Sequence, residues 1–327
     1  MNSCTFVEYL FKMSIFNLTI LIVRTNNKTT IEVKKVYLIY NPLSGNKRSQ
    51  SILDKILPIF EKGHIETQII ETQYAGHARE LANTLPFDGF DGLCVVGGDG
   101  TMHEIVNGLL KRADKMKIPI GLIPGGTGNS FMHDVDALDP ELAALRILTG
   151  RLRNVDIAQV ETGGEIIYGF NIVGWGLPTD ILQTAMKLKW LGGQCYNIAS
   201  LVEVIRNKPR LAKVKIDKQN IAGDYGFILG CNTIYTGKGM KMAPLAQTND
   251  GMIDLIVVRK ANRLHLLYLF TKLFKGKHIG DPAVVYHQAH TFAIEPIENH
   301  TLNIDGELIG CTPVHVKMLP GAVQVLV

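Results

Sequence analysis

No two of the five cysteines, Cys4, Cys94, Cys195, Cys231 and Cys311, stand at C-x-x-C spacing. An odd, scattered set argues against a disulfide framework and against a zinc ribbon. The thiols read as small apolar residues of a reducing compartment, so the expected location is cytoplasmic. Charge of one sign is scarce as well: 34 Lys and Arg against 30 Asp and Glu leave +4, too little for a nucleic-acid binder without a concentrated patch. Long unbroken apolar runs are missing. The richest, residues 4–23, is interrupted by Glu8, Lys12 and Asn17 and matches neither a spanning helix nor a secretory signal. It reads as part of an N-terminal extension, residues 1–33, with polar residues 25–30 leading into the folded body. There is no repeat of solenoid period and no low-complexity tract. Common nucleotide and hydrolase signatures are absent too: no G-x-x-x-x-G-K-[ST], no G-x-S-x-G and no H-E-x-x-H.

What is present is an ordinary globular composition, 46% apolar and 20% charged over 327 residues, enough for two domains. Residues 36–40 form a β-rich apolar run, and a helical pattern follows at 49–60. The theme repeats with strands at 67–70, 92–96 and 120–123 and helices at 75–85 and 101–110. Such βαβα alternation predicts a parallel sheet covered on both faces, with ligands at the carboxyl ends of the strands. Beyond residue 155 the pattern turns β-rich, with segments at 157–160, 166–173, 212–216, 225–232, 253–258, 291–297, 301–304 and 314–317. Helices are expected there at 179–189, 197–206 and 264–274.

Three glycine clusters sit where strands of the first half end: Asn41-Pro42-Leu43-Ser44-Gly45, Gly97-Gly98-Asp99-Gly100-Thr101 and Pro124-Gly125-Gly126-Thr127-Gly128-Asn129. Glycine lets backbone approach a ligand closely, and a helix N-terminus offers partial positive charge to phosphate. Each cluster alone is explained equally well by a turn. Three at successive strand ends converge on one edge, which is far more specific. Asp99 is the odd residue there, since a carboxylate beside phosphate must hold a cation, take a proton or cap the helix.

NPLSG (41–45), GGDGTMHEIVNG (97–108), PGGTGN (124–129) and DGE (305–307) together resemble the diacylglycerol kinase catalytic-domain superfamily, which includes bacterial lipid kinases and the sphingosine and ceramide kinases. The resemblance covers residues 34–327. It implies α/β plus β architecture: a Rossmann-like, parallel-sheet ATP-binding domain at 34–157, to which residues 312–327 return, and a β-sandwich-like lipid-substrate domain at 158–311. Carried over by position, it implies ATP contacts from Asn41, Pro42, Ser44, Gly45, Thr72, Gly98, Asp99, Gly100, Thr101, His103, Glu104 and Thr127. Asp99, Asp305 and Glu307 become the candidate catalytic carboxylates, with the choice of base open. A structural Mg²⁺ would map onto Asp250 and the main-chain oxygens of Gln247 and Met252, and Asp156 adds a further acid.

The chemistry of the residues agrees. Phosphoryl transfer is mostly positioning plus charge neutralisation by Mg²⁺, with a carboxylate taking the proton of the attacking hydroxyl. The Asp305-Gly306 pair is also a good β-hairpin turn in its own right. His77 and His103 lack a second ligand at metal spacing and read as loop-anchoring hydrogen bonders. The segment from Gly174 to Gly193 is similar to that of sphingosine and ceramide kinases, yet the aspartate used there for the amino-alcohol head falls at Leu182, with Asp180 nearby. A lipid substrate implies peripheral membrane contact. Basic residues gather at Lys187, Lys189, Arg206, Lys208, Arg210, Lys213 and Lys215 and again at Lys272, Lys275, Lys277 and His278, while the apolar face Leu264, Leu267, Phe270 and Phe274 reads first as core. Bacterial members imply a homodimer. The alternatives are a soluble-substrate kinase of the NAD-kinase type and a catalytically silent lipid- or nucleotide-binding module.

Overall fold

The structure is a computed structural model that describes residues 29–327 except Leu43, Lys47, Thr127, Asn207 and Lys238. The apolar stretch 4–23 therefore lies outside the described residues, as does the expected nucleotide contact Thr127. The first half alternates as the sequence pattern predicts: β1 (Lys35–Tyr40), α1 (Ser49–Lys62), β2 (Glu66–Glu71), α2 (His77–Thr84), β3 (Gly92–Gly97), α3 (Asp99–Leu110) and β4 (Ile120–Pro124). β2, β1, β3 and β4 lie in that order and run parallel. β3 and β4 are buried along their whole length, whereas β2 is the edge strand and half exposed. Its polar sequence, ETQIIE, suits an edge and departs from the expected two-sided cover.

Two short helices follow, α4 (Ser130–Asp134) and α5 (Pro140–Leu148). α5 escapes the periodicity reading, although Asp139 caps it by accepting the Leu142 N–H and Pro140 opens it, a standard start signal.

The second half comprises β5 (Leu152–Thr162), β6 (Glu165–Gly169), β7 (Ile172–Gly176), α6 (Leu177–Lys187), α7 (Cys195–Arg206), β8 (Arg210–Ile216), β9 (Gln219–Cys231), β10 (Tyr235–Thr236), β11 (Met240–Lys241), β12 (Ile253–Arg259), α8 (Arg263–Leu273), β13 (Val284–Ala289), β14 (Thr291–Pro296), β15 (Thr301–Ile304), β16 (Glu307–Cys311) and β17 (Val314–Leu326). Among these, β16, β15, β7, β9, β8, β14 and β17 are neighbours in that order. β17 pairs antiparallel with β5 from Val314–Thr162 to Leu326–Leu152, and its last residues pair parallel with β4, Val325 against Ile120. One strand thus belongs to both halves.

The segment expected as one strand, 166–173, is two, because the chain breaks at Phe170–Asn171 to present its N–H groups to a distant carboxylate described below. Ala75 and Gly76 likewise fall outside α2, where Gly76 takes φ +91 ahead of the first turn. The expected Asp-Gly hairpin is there: Asp305 and Gly306 both have positive φ and join β15 to β16, as a type I′ turn requires. Among the described residues there are three apolar clusters, one around β1, β3 and β4, one inside the second sheet, and one between that sheet and the helices α7 and α8.

Candidate active site

The three glycine turns meet at the carboxyl ends of the parallel strands. Ser44 Oγ donates to the Gly125 carbonyl at 3.0 Å, and the Gly125 N–H donates to the Gly97 carbonyl at 2.7 Å. Gly45 has φ +55, and a Cβ there would fall 2.0 Å from the Gly125 oxygen. A Cβ on Gly126 would fall 2.4 Å from the Gly98 Cα. The turns touch backbone to backbone, so no side chain fits between them. Asn129 fastens the third turn, accepting from the Gly126 N–H and donating to the Gly126 carbonyl, each at 3.1 Å. Thr72 is buried beside them, its N–H donating to the Tyr40 carbonyl at 3.0 Å. Asn41, Pro42 and Ser44 are half-buried around the same edge, with the Asn41 carbonyl accepting from Ser49 Oγ at 2.6 Å.

α3 begins at this confluence with Gly98 before it, and no side chain caps its first turn. The first-turn N–H groups of a helix have no intrahelical partner, and the dipole adds partial positive charge. Such an arrangement can accept a phosphate group on backbone N–H groups.

Three carboxylates approach it, in different states. Asp99 accepts the N–H groups of Ser130 at 3.0 Å and Phe131 at 3.5 Å, the first turn of α4. Burial pushes its carboxyl up against those bonds, with a smaller push from the charge of Asp305. Asp305 is wholly buried and accepts the N–H groups of Phe170, Asn171 and Ile172 at 3.1, 2.8 and 2.9 Å, plus His103 Nδ1 at 2.8 Å. Glu307 is different: it is exposed, it opens β16, and its Oε1 lies 3.4 Å from where a Cβ on Gly100 would stand. Of the three, Glu307 is the one whose carboxylate is open towards the start of α3.

Within the 98–104 stretch expected at the nucleotide, the last two residues also have partners elsewhere. Helical rotation turns His103 to Asp305 and Glu104 to the start of α2, where the N–H groups of Gly76, just ahead of the helix, and Ala78 donate to the two Glu104 oxygens at 2.9 and 3.1 Å. His77 anchors its own loop, its Nδ1 accepting from the Gln73 N–H at 3.0 Å. Asn107 lies one turn after His103 on the helix that follows the second glycine turn. Its side chain accepts from the Tyr168 N–H at 2.9 Å and donates to the Tyr168 carbonyl at 2.8 Å. The i, i+4 spacing puts the two on one helix face.

The acids expected to hold a structural cation are otherwise engaged. Asp156 accepts from Gly251 and Gly321 at 2.6 and 2.7 Å, tying two loops together, and Asp250 accepts from the Met252 N–H at 3.0 Å. Gln247 is exposed. Among the described residues no three His, Cys, Asp or Glu side chains converge as a metal cage.

Asp134, also unread from sequence, links the halves: its carboxylate accepts from the Ile234 N–H at 2.8 Å and the Tyr235 N–H at 3.3 Å. Burial, opposed by those bonds and by Arg153, pushes its carboxyl up to about 6. An ordinary unfolded-state aspartate titrates near 3.9, so between about pH 4 and 6 the folded chain holds the extra proton. The contribution of Asp134 to stability is therefore present below about pH 4 and is lost as pH rises to about 6. Thermal melts of the parent and Asp134→Asn across that window should diverge with rising pH, the parent losing ground. Parallel curves would contradict the assignment.

Residues 35–160 match the family described as the diacylglycerol kinase catalytic domain, and residues 171–327 match the YegS C-terminal NAD kinase beta sandwich-like domain. The diacylglycerol kinase of Bacillus subtilis is 32% identical over 285 residues, covering 86% of this chain and 92% of that protein. Sphingosine kinase 1 of Arabidopsis thaliana is 29% identical over 314 residues, covering 80% of this chain. This chain spans 64% and 65% of the lengths of the two Arabidopsis sphingosine kinases. A crystal structure of a diacylglycerol kinase from Bacillus anthracis superposes with a TM-score of 0.75 at 25% identity, over 90% of this chain and 98% of that one. A match of this identity running through both halves, over a fold in which the glycine turns meet, means that the chain belongs to the diacylglycerol kinase catalytic-domain family.

Proposed function

We propose that this chain transfers the γ-phosphate of ATP to the hydroxyl of a lipid of the diacylglycerol or sphingoid type. The observation that carries the reading is the exposed Glu307 carboxylate held over Gly100, at the start of α3. In this reading Asn41 to Gly45, Thr72, Gly98 to Thr101 and the third glycine turn bind nucleotide. Glu307 accepts the proton of the lipid hydroxyl as its oxygen attacks the γ-phosphorus and ADP leaves. Asp305 and His103 act as positioning residues that fix the hairpin carrying Glu307. Asp99 holds the third turn against the second by capping α4.

The fit to Mg²⁺ rests on the donor set. Asp99 and Asp305 spend their oxygens on backbone N–H groups, leaving Glu307 as the open carboxylate of the three. Mg²⁺ keeps several waters and binds through one or two carboxylates plus substrate phosphates, which this set allows. When bound it supplies charge neutralisation to the transferring phosphate. The division into a nucleotide part at 34–157 and a lipid part at 158–311, with 312–327 returning, is supported by the pairing of β17 with β4.

The test is transfer of labelled γ-phosphate to diacylglycerol, monoacylglycerol, sphingosine and ceramide in mixed micelles with Mg²⁺, and to NAD in parallel. Label in one lipid establishes the reaction and its acceptor. Label in NAD alone would replace the reading with the soluble-substrate one, which the description of the second family match keeps in view. Binding of ATP with no acceptor labelled would indicate a silent module. Sedimentation of the same preparation reads the homodimer expected from bacterial members.

A further inference from the structure

α7 and α8 touch each other and cover one face of the second sheet: Val204 of α7 and Leu266 and Leu269 of α8 join the same buried cluster as Leu229 and Ile256. Their opposite sides therefore look out in a common direction. The expectation that Leu264, Leu267, Phe270 and Phe274 form the core face holds only in part: Leu267 packs against this cluster and Phe270 is half-buried, but the two ends depart from it. Leu264 is 80% exposed and Phe274 half exposed, while Leu266 and Leu269 are the buried pair. An apolar helix with no polar stripe gives no sequence clue to which side faces in.

On the outward side Leu201 and Ile205 of α7 stand one turn apart, and Leu264 and Tyr268 of α8 do the same, all at least half exposed. Trp190, 78% exposed, projects from the 3-10 turn Lys189–Gln194 that leads into α7. Six large apolar side chains on one face, counting Phe274, exceed the scattered exposure that needs no explanation.

The charge around them is mainly positive, although the buried Asp281 lies 2.6 Å from His265 and 3.7 Å from Lys272 of α8. Residues 187–208 and 263–277 carry eight Lys or Arg and a single acid, Glu203. That acid is buried and accepts from Arg206 and Thr184, each at 2.6 Å. A second copy of the same face would bring cations against cations, and an aqueous surface would leave the apolar side chains wet. A tryptophan and aliphatic residues ringed by lysines fit the interface of a bilayer carrying negative headgroups.

We propose that this face docks the protein on an anionic lipid bilayer, with Trp190, Leu201, Ile205 and Leu264 entering the headgroup layer. The site lies beside the face: α6 packs against both α7 and β16, the strand that Glu307 opens. Docking would bring the lipid hydroxyl to Glu307, a clause that rests on the kinase reading above.

The experiment is co-flotation of the full chain with phosphatidylcholine vesicles with and without phosphatidylglycerol. The variants are Trp190→Ala with Leu201→Ser, and Lys187→Glu with Lys189→Glu. Each pair should lower partitioning onto the anionic vesicles on the order of tenfold, and added salt should weaken the parent. Both pairs should keep the parent's melting temperature and its transfer to short-chain diacylglycerol in detergent micelles. Parent that ignores anionic vesicles, or variants that float as the parent does, would overturn the proposal. So would a parent dimer that the variants dissociate, since the face would then be a protein interface. Loss of flotation in the variants with no micellar transfer by the parent would uphold docking and count against the kinase reading alone.

Discussion

Glu307→Gln is expected to lower phosphoryl transfer by about a hundred- to ten-thousandfold, the range that a positioned proton acceptor supplies. Nucleotide affinity should stay within roughly twofold and the melting temperature should not move, because Gln preserves the shape and the position is exposed. The physical case is one of elimination by hydrogen bonding. A general base needs a free lone pair at the reacting proton, and the oxygens of Asp99 and Asp305 are directed at N–H donors of α4 and of the break between β6 and β7. The Glu307 carboxylate is held over Gly100 and open to solvent. Single-turnover transfer in micelles, with nucleotide binding measured separately, reads the effect. A variant within about tenfold of the parent rate would remove Glu307 from the proton-accepting role.

Asp305→Ala should have the largest effect on stability. The substitution leaves three consecutive N–H groups and one histidine nitrogen without their buried acceptor. Removing one member of such a network costs about 3–5 kcal/mol, or on the order of 10 °C in melting temperature for a domain of this size. Activity falls with it, because the hairpin that carries Glu307 loses its anchor to α3. Asp305→Asn separates this from direct catalysis. It retains an oxygen for the Asn171 and Ile172 donors but sets an NH₂ against Phe170, so melting temperature and turnover should drop together and by less. If Asp305 were the proton acceptor, Asp305→Asn would abolish turnover even at temperatures where the variant is still fully folded. A double-mutant cycle with His103→Ala should show coupling, since the two side chains meet at 2.8 Å.

These expectations also mark what sequence makes legible. The glycine turns announce themselves because each carries its own local requirement: a strand end, a positive φ or a helix start. Convergence then follows from parallel-sheet topology. The Asp-Gly turn is legible for the same reason. The work of Asp305 is not, because its N–H partners lie 133 to 135 residues away and are backbone groups that any side chain would offer. Glu104, Asp134 and Asp156 share that blindness: each is an acid whose meaning is set by which helix start or loop the fold brings to it. Motif position alone places Asp99, His103 and Glu104 on a common footing. The helix then turns one to α4, one to the hairpin and one to α2.

The double membership of β17 has a consequence for how the protein is made. The sheet bearing the glycine turns leaves one side of β4 open until Val325 and Leu326 reach it, so the first half cannot complete its sheet before β17 has been synthesised. During that interval β4 is an unpaired template for any passing strand. Between them stand residues 125–324, most of them the second half, whose folding must bring β17 back to β4. The speed of that return sets how long the newborn chain depends on chaperones.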